Sequence, residues 1–196
     1  MENKNEAIKQ LKAGKIGIFP TDTAFGIGCR ADDEKAVKRV YKIRNRPEEK
    51  ALLILVSSIK MASEYAYIDD KVRRELIDLY WPGGLTIILP CKTEKIPAVV
   101  RAGGSTIAIR FPSNPMICEV IEKIGVPIVA PSANFSGEAT PFSLEEVDHS
   151  LLKEVDFILP GMCTMKGIST IIDATVAPWK VIRQGVVEVN YDTAND

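Results

Sequence analysis

The amino-acid sequence predicts a layered α/β domain with a largely buried sheet of about seven strands and about five helices. Helix-like and strand-like patterns alternate along most of the chain. Some strand-like runs, such as residues 52–56 (LLILV), are apolar throughout, which is typical of strands covered on both faces. Strand-like runs are concentrated near the C-terminal end, which argues against a purely parallel sheet.

The first half of the chain contains clear helix boundaries. Asp33 is placed to cap a helix that runs to about Ile43, and Pro47 ends that pattern. Apolar and polar runs define the remaining elements. We expect, in chain order, helix 5–13, strand 16–20, the helix after Asp33, strand 52–56, helices 58–66 and 70–80, and strand 85–89.

The second half contains two further helix signals. Asn114-Pro115 starts a helix with proline at its first position, and Gly125 ends it. Ser143 and Glu146 have the spacing of a capping box, which predicts a helix over 143–153. We expect strands at 106–110, 127–130, 155–159, 170–173 and 179–188.

Composition limits the class of protein. A chain of 196 residues with 46% hydrophobic and 26% charged residues is expected to form one globular domain, residues 1–196. The longest apolar run, 51–56, is far shorter than the roughly 20 residues of a membrane helix. The N-terminal segment has no apolar signal core, so we expect a cytoplasmic protein without a membrane partner.

Several types of catalytic site are disfavoured. His149 is the only histidine, so a Ser-His triad or a His-rich metal site is nearly excluded, and His149 is expected on the surface. No two of the four cysteines have the spacing of a zinc site or a redox pair, and all are expected to be small buried hydrophobes. We therefore expect no metal ligands from the chain.

Three strand-like runs end in polar loops, around residues 20–23, 110–112 and 130–134. Ligands of α/β proteins often bind where strands open into loops. Serine, threonine and asparagine are also ordinary turn and cap residues, so each loop taken alone is also explained by turn chemistry.

Basic residues are concentrated between 35 and 50, where seven lysines and arginines face only Glu48 and Glu49. Lys35, Lys38 and Arg39 are expected on a solvated helix face. Arg44 and Arg46 lie where the helix must end, and guanidinium groups suit phosphate geometry. The chain has neither a P-loop nor a complete dinucleotide fingerprint. The residues alone thus predict a phosphate-binding α/β domain.

The same segments resemble the YrdC-like family of threonylcarbamoyl-AMP synthases over about residues 6–188. Seven blocks occur in the family's order: GKIGIFPTDTAFGIG, RNRPEEKALLILV, WPGGLTIIL, TIAIRFP, APSANFSGEAT, STIIDAT and VIRQG. Three positions depart from the family pattern: Arg44 replaces a lysine, Phe25 a tyrosine and Ala51 a proline. Longer members carry a second C-terminal domain, for which we expect this chain to be too short.

The resemblance implies an open twisted mixed sheet with a basic concave face. It also implies an enzyme, a nucleotidyltransferase that forms threonylcarbamoyl-AMP and pyrophosphate from L-threonine, bicarbonate and ATP. The product would serve N6-threonylcarbamoyladenosine (t6A37) formation in tRNA, with downstream threonylcarbamoyl transferase proteins as partners. Mg²⁺ would be carried on the nucleotide, and RNA or tRNA binding on the basic face is a further expectation.

The resemblance assigns roles to individual residues. The threonine side would comprise Thr23, Arg110 and Ser169, with Arg110 holding the carboxylate. The nucleotide side would comprise Arg46, Lys50, Thr106, Ser132, Asn134, Thr140 and Arg183. The catalytic contacts to the triphosphate would come from Arg44, Arg46, Lys50 and Arg183. Asp22 and Asp173 are expected either to orient these groups or to cap turns.

Two other functions compete with this interpretation. A non-catalytic RNA-binding module would use the basic face, although only 7% of the residues are aromatic and few are available for base stacking. A carbamoyl-transfer domain like that of hydrogenase-maturation proteins would be accompanied by zinc motifs of the Cys-x-x-Cys type, which the sequence lacks.

Overall fold

The computed structural model describes residues 3–190. Its helical segments, in chain order, are α1 (Lys4–Lys12), α2 (Glu34–Ile43), α3 (Ile59–Tyr65), α4 (Asp70–Val72), a π-helical turn (Arg73–Ile77), α5 (Asp78–Tyr80), 3₁₀ turns (Thr93–Lys95 and Ala98–Arg101), α6 (Pro115–Ile124) and α7 (His149–Glu154). Within this part of the chain, no helix is long and apolar enough to cross a membrane.

The strands form two mixed sheets, of three and six strands. They are β1 (Gly17–Pro20), β2 (Phe25–Gly28), β3 (Leu53–Leu55), β4 (Leu85–Pro90), β5 (Thr106–Arg110), β6 (Ile128–Val129), β7 (Phe157–Ile158), β8 (Thr170–Asp173) and β9 (Lys180–Arg183). The smaller sheet has the order β2-β1-β7, and the larger has β6-β3-β5-β4-β8-β9. In the larger sheet, β3 is parallel to β5 and β4 is parallel to β8, and the other neighbours are antiparallel.

The two sheets meet where β2 passes β6. The amide of Ile27 donates to the carbonyl of Pro131, and the amide of Val129 donates to the carbonyl of Cys29. This close approach requires Gly28, because a Cβ at that position would lie 1.7 Å from the carbonyl oxygen of Val129. The contact brings the loop before β2 next to the loop after β6.

The predicted helix caps are confirmed at two positions. The Asp33 side chain accepts from the amide of Ala36 at the start of α2. Asn114 accepts from two amides at the start of α6, and Gly125 ends that helix with a φ of 78°. Both helices bury their apolar faces, α2 in one hydrophobic core cluster and α6 in the other.

The α/β class and the mixed strand directions are confirmed, but the strand count differs from the expected seven. No element is predicted for the segment 25–28, which forms β2, and the described residues form nine strands in two sheets. β2 is invisible to strand propensity because two of its four residues are glycines. It is held by pairing with β1.

Two predicted boundaries are wrong. The helix expected over 143–153 begins only at His149, capped by Asp148, because Glu146 instead accepts from the amide of Phe142. The strand expected over 179–188 is limited to Lys180–Arg183. Beyond Arg183 the amides of Gly185 and Val187 donate to the Thr170 hydroxyl rather than continuing the ladder.

Candidate functional site

A cavity of about 290 Å³ lies at the edge of the larger sheet where β3 and β5 end and β4 and β8 begin. The loop before β2 and the loop after β6 close it from the other side. Eight of the eleven predicted site residues line it: Thr23, Arg44, Arg46, Arg110, Ser132, Thr140, Ser169 and Arg183. Residues up to 160 positions apart in sequence, from Thr23 to Arg183, are thus brought to one cavity.

Arg110, at the end of β5, is held by three partners. Its Nε donates to the carbonyl of Gly83 at 2.9 Å, and its two terminal nitrogens donate to the Thr23 hydroxyl and the Asp22 carboxylate. Its side chain is 5% exposed and that of Asp22 is 1% exposed. Burial lowers the pKa of the Arg110 guanidinium, and the Asp22 carboxylate opposes that shift. Asp22 therefore orients Arg110, which is one of the two roles predicted for this residue.

Arg183, at the end of β9, is tied to the start of β8. Its guanidinium donates to the carbonyl of Ser169 from Nε and Nη2, and Nη2 also donates to the Ser169 hydroxyl at 3.0 Å. The Ser169 hydroxyl further contacts the Thr86 hydroxyl at 2.9 Å. Burial lowers the pKa of Arg183. The two predicted groups of residues, threonine-side and nucleotide-side, therefore share a direct contact.

Arg44 follows α2 and is buried, with 3% of its surface exposed. Nε and Nη2 donate to the carbonyl and side-chain oxygen of Asn134, at 2.9 and 3.3 Å, and Nη1 has no hydrogen-bond partner among the described residues. Asn134 in turn donates to the carbonyls of Phe135 and Glu138. Arg44 therefore fixes the loop after β6 and retains one buried nitrogen for a ligand.

Arg46 is partly exposed and holds the segment that enters β3. Its Nε and Nη2 donate to the carbonyls of Lys50 and Ala51 at 3.0 and 2.9 Å. The Tyr41 hydroxyl also donates to the Lys50 carbonyl. The backbone of Lys50 is thus anchored while its side chain is exposed.

The cavity is electropositive. Arg44, Arg46 and Arg183 form no ion pair with any carboxylate among residues 3–190, and the lining of the cavity contains no acidic side chain there. Burial, with a smaller contribution from Arg46, lowers the pKa of Arg44 to about 10, so it is still charged at neutral pH. Three uncompensated guanidinium groups favour an anionic ligand with several charges.

Three predicted site residues lie outside the cavity lining: Lys50, Thr106 and Asn134. Alternation along β5 does place Ala108 and Arg110 on the cavity side. Thr106 shares that face but lies about 13 Å from Arg110 along the strand, and about 7 Å beyond Ala108. Asn134 acts through Arg44 and the loop, as described above. Asp173 accepts from the amide and hydroxyl of Thr175, so it caps a turn.

The three departures from the family pattern, Phe25, Arg44 and Ala51, all line the cavity. The sequence reasoning missed Thr86 and Ser113, which contact Ser169 and Asp22 respectively. For Thr86 there was a signal, because it is a polar residue within the otherwise apolar strand LTIIL. Ser113 had none, since a serine in a loop is ordinary turn chemistry.

The predicted exposure of His149 and burial of the cysteines are confirmed except at Cys118. His149 is exposed, Cys29, Cys91 and Cys163 are buried, and Cys118 is partly exposed. Within residues 3–190, no three His, Cys, Asp or Glu side chains are grouped to hold a metal ion. A second cleft, of about 590 Å³, is lined by Arg30, Asp32, Glu34 and Lys38, whose charges pair with one another. Lys12, Asp33 and Lys35 also line it, so the cleft combines acidic with basic side chains, unlike the cavity.

Known proteins share both sequence and structure with this chain. A family model for Sua5, YciO and YrdC proteins, described as "Telomere recombination", matches residues 9–185. The threonylcarbamoyl-AMP synthase of Pyrococcus abyssi is 36% identical over 176 residues, and that of Bacillus subtilis is 34% identical over 167. These alignments cover 89% and 85% of this chain but 52% and 48% of the two enzymes. The chain thus spans about half the length of these two curated relatives.

Two solved structures are similar over nearly the whole chain. The crystal structure of P. abyssi Sua5 complexed with L-threonine has a TM-score of 0.87 and 34% identity, covering 93% of this chain and 54% of that one. The crystal structure of Escherichia coli YciO has a TM-score of 0.85 and 29% identity, covering 94% and 90%. With the family model matching most of its length, this chain belongs to the Sua5/YciO/YrdC family.

Proposed function

We propose that the protein is a threonylcarbamoyl-AMP synthase, a nucleotidyltransferase that converts L-threonine, bicarbonate and ATP to threonylcarbamoyl-AMP and pyrophosphate. The observation that carries the proposal is the cavity itself, where three arginines without acidic partners stand beside the Arg110–Thr23–Ser169 group. One part suits a polyphosphate and the other suits a small polar molecule. The names of the relatives and the threonine complex of P. abyssi Sua5 support a threonylcarbamoyl-AMP synthase that uses L-threonine.

The reaction needs charge neutralisation more than a protein nucleophile. The amine of threonine attacks the carbon of bicarbonate and forms a carbamate, with loss of water. A carbamate oxygen then attacks the α-phosphorus of ATP, the bond to the β-phosphate oxygen breaks, and pyrophosphate leaves. Both reactants are anions, so the site must hold them in line and screen their repulsion.

The residues divide between the two reactants. Thr23, Arg110 and Ser169 would bind the amino acid, with Arg110 donating to its carboxylate. Arg46 and Arg183 would contact the phosphates, together with the unpaired nitrogen of Arg44. Lys50 is exposed beside Arg46, from which its flexible stem would reach the triphosphate.

The remaining nucleotide contacts come from the loops around the cavity. Ser132 and Thr140 line it, and Asn134 shapes the loop between them. Thr106 lies further along β5, so any contact with the nucleotide would come from a part that extends beyond the cavity. Mg²⁺ would arrive on the ATP phosphates as part of the substrate.

The product would supply N6-threonylcarbamoyladenosine formation at position 37 of tRNA, with downstream threonylcarbamoyl transferase proteins as its consumers and the cytoplasm as its compartment. RNA or tRNA binding to the basic face is a separate expectation. It would be recognised by affinity that falls steeply with salt and is independent of threonine.

The proposal is tested by measuring pyrophosphate release from ATP with each component omitted in turn. A synthase requires both L-threonine and bicarbonate. An RNA-binding module releases no pyrophosphate under any of these conditions, and a carbamoyl-transfer domain does not require threonine. Release that persists without threonine would contradict the proposal.

A further inference from the structure

Ser169 and Thr23 line the same cavity, but their hydroxyls differ in how far neighbouring groups fix the direction of their hydrogen bonds. A hydroxyl has one proton to donate and two lone pairs to accept, whereas a guanidinium only donates. Counting the partners of each hydroxyl therefore shows what it can still offer to a ligand.

The Ser169 hydroxyl is surrounded by donors. It accepts from Arg183 Nη2 at 3.0 Å and from the Thr86 hydroxyl at 2.9 Å. Thr86 is fully buried, and within the described part of the chain its hydroxyl has no other hydrogen-bond partner. If Ser169 donated instead, the Thr86 proton would be buried without an acceptor, which is unfavourable. Ser169 therefore uses both lone pairs and keeps its proton for a ligand.

The Thr23 hydroxyl has fewer fixed partners. It accepts from Arg110, and it lies 3.1 Å from the Thr21 hydroxyl. Thr21 already donates its proton to the carbonyl of Ala24 at 2.7 Å and accepts from the amides of Thr23 and Ala24, each at 3.2 Å. The proton and both lone pairs of Thr21 are thus used, so these contacts do not fix the Thr23 hydroxyl as a donor or as an acceptor.

We propose that Thr86 is a positioning residue for amino-acid recognition, because it fixes the Ser169 hydroxyl as a hydrogen-bond donor into the cavity. Ser169 then donates to an acceptor oxygen of the amino acid. The inference rests on the proposed function and deepens it. Thr86 touches neither reactant and acts through Ser169, which immediately precedes β8, the parallel neighbour of β4.

The test is a double-mutant cycle between positions 86 and 169, with T86S as the conservative control. T86V removes the buried donor and should raise the KM for L-threonine about 3- to 10-fold, the range for one lost hydrogen bond. The KM for ATP should be unchanged, and T86S should restore the wild-type value. In an S169A background, T86V should have no further effect on the KM for threonine.

Three results would overturn the role of Thr86. These are an unchanged KM for threonine in T86V, an equal rise for threonine and ATP, and the same rise in the S169A background. T86A serves as a second variant if T86V unfolds early. Titration calorimetry with L-threonine measures the same cycle through Kd without turnover. An inactive wild type that binds threonine would overturn the proposed function alone, and additive Kd changes would overturn the role of Thr86 alone.

Discussion

Asp22 and Arg110 form an ion pair that is almost completely shielded from water, with side chains 1% and 5% exposed. Asp22 also accepts from the amide and hydroxyl of Ser113, at 3.1 and 2.9 Å, and its carbonyl accepts from the amide of Met165 at 2.7 Å. One carboxylate residue thus joins the loop before β2 to the end of β5 and to the loop before α6. The pair has a structural role as well as a role at the proposed threonine side.

Substituting Asp22→Asn should destabilise the protein strongly. The amide keeps the shape of the side chain but leaves the Arg110 charge buried without a counter-charge, which costs about 3–5 kcal/mol. Urea denaturation measures this loss. The matched control is Asp32→Asn, which removes the partly exposed pair with Arg30 and should cost less than about 1 kcal/mol. Equal, small losses in both variants would show that the buried pair is not needed for stability.

Substituting Arg46→Ala should impair catalysis and leave the fold nearly intact. The lost contact to the nucleotide should reduce the rate about 30- to 1000-fold, equivalent to about 2–4 kcal/mol. Circular dichroism and the melting temperature should change little, because Arg46 is partly exposed and donates only to two carbonyls. Lys42→Ala, an exposed change on α2, is the control and should retain full activity. Wild-type rates in R46A would remove Arg46 from the site.

These two arginines illustrate what the sequence could predict. The blocks that hold Arg46 and Arg110 were recognisable along the chain, and β5 alternation placed Arg110 on the cavity side. The contacts of Arg110 with Gly83 and of Asp22 with Ser113 could not be predicted to the same extent, because Gly83 and Ser113 are ordinary loop residues whose contacts depend on tertiary packing. β2 was missed for a related reason, since Gly28 is required by the close approach of the Val129 carbonyl, which strand propensity does not reveal.

Amino-acid specificity should follow the threonine hydroxyl more than its methyl group. A site that hydrogen-bonds a hydroxyl rejects an isostere without it by up to about 10⁴-fold, while the loss of one methyl costs only about 1–3 kcal/mol. Serine should therefore be a poor but detectable substrate and valine essentially inert. Pyrophosphate release at saturating ATP and bicarbonate measures both. Equal activity with valine and serine would show that Thr23 and its neighbours do not read the hydroxyl.

The thiols beside the cavity should react slowly until the protein unfolds. Burial raises the pKa of Cys118 and of Cys163 from 9.0 to about 11, with the Asp22 charge adding to the shift. Near pH 8 the thiolate fraction should be about 100-fold lower in the folded chain, because each pKa unit is a factor of ten. Alkylation followed by mass spectrometry, with and without concentrated urea, measures this ratio.

The raised pKa values of Cys118 and Cys163 also make the stability of the protein depend on pH. Between pH 9.0 and about 11 the folded chain keeps protons on these thiols that the unfolded chain loses. Their contribution to stability is therefore complete below the lower pH and declines as pH rises through this window. Similar alkylation rates for the folded and unfolded chains would contradict the raised pKa of both thiols.

In the proposed reaction, the adenylate contains a carbon atom from bicarbonate between threonine and AMP. Mass spectrometry of the product formed from L-threonine, ATP and ¹³C-bicarbonate tests this directly. We predict an adenylate with the mass of threonylcarbamoyl-AMP, shifted by one ¹³C atom relative to the product from unlabelled bicarbonate. An adenylate that carries threonine but no label, as direct activation of the amino acid would give, would contradict the proposed function.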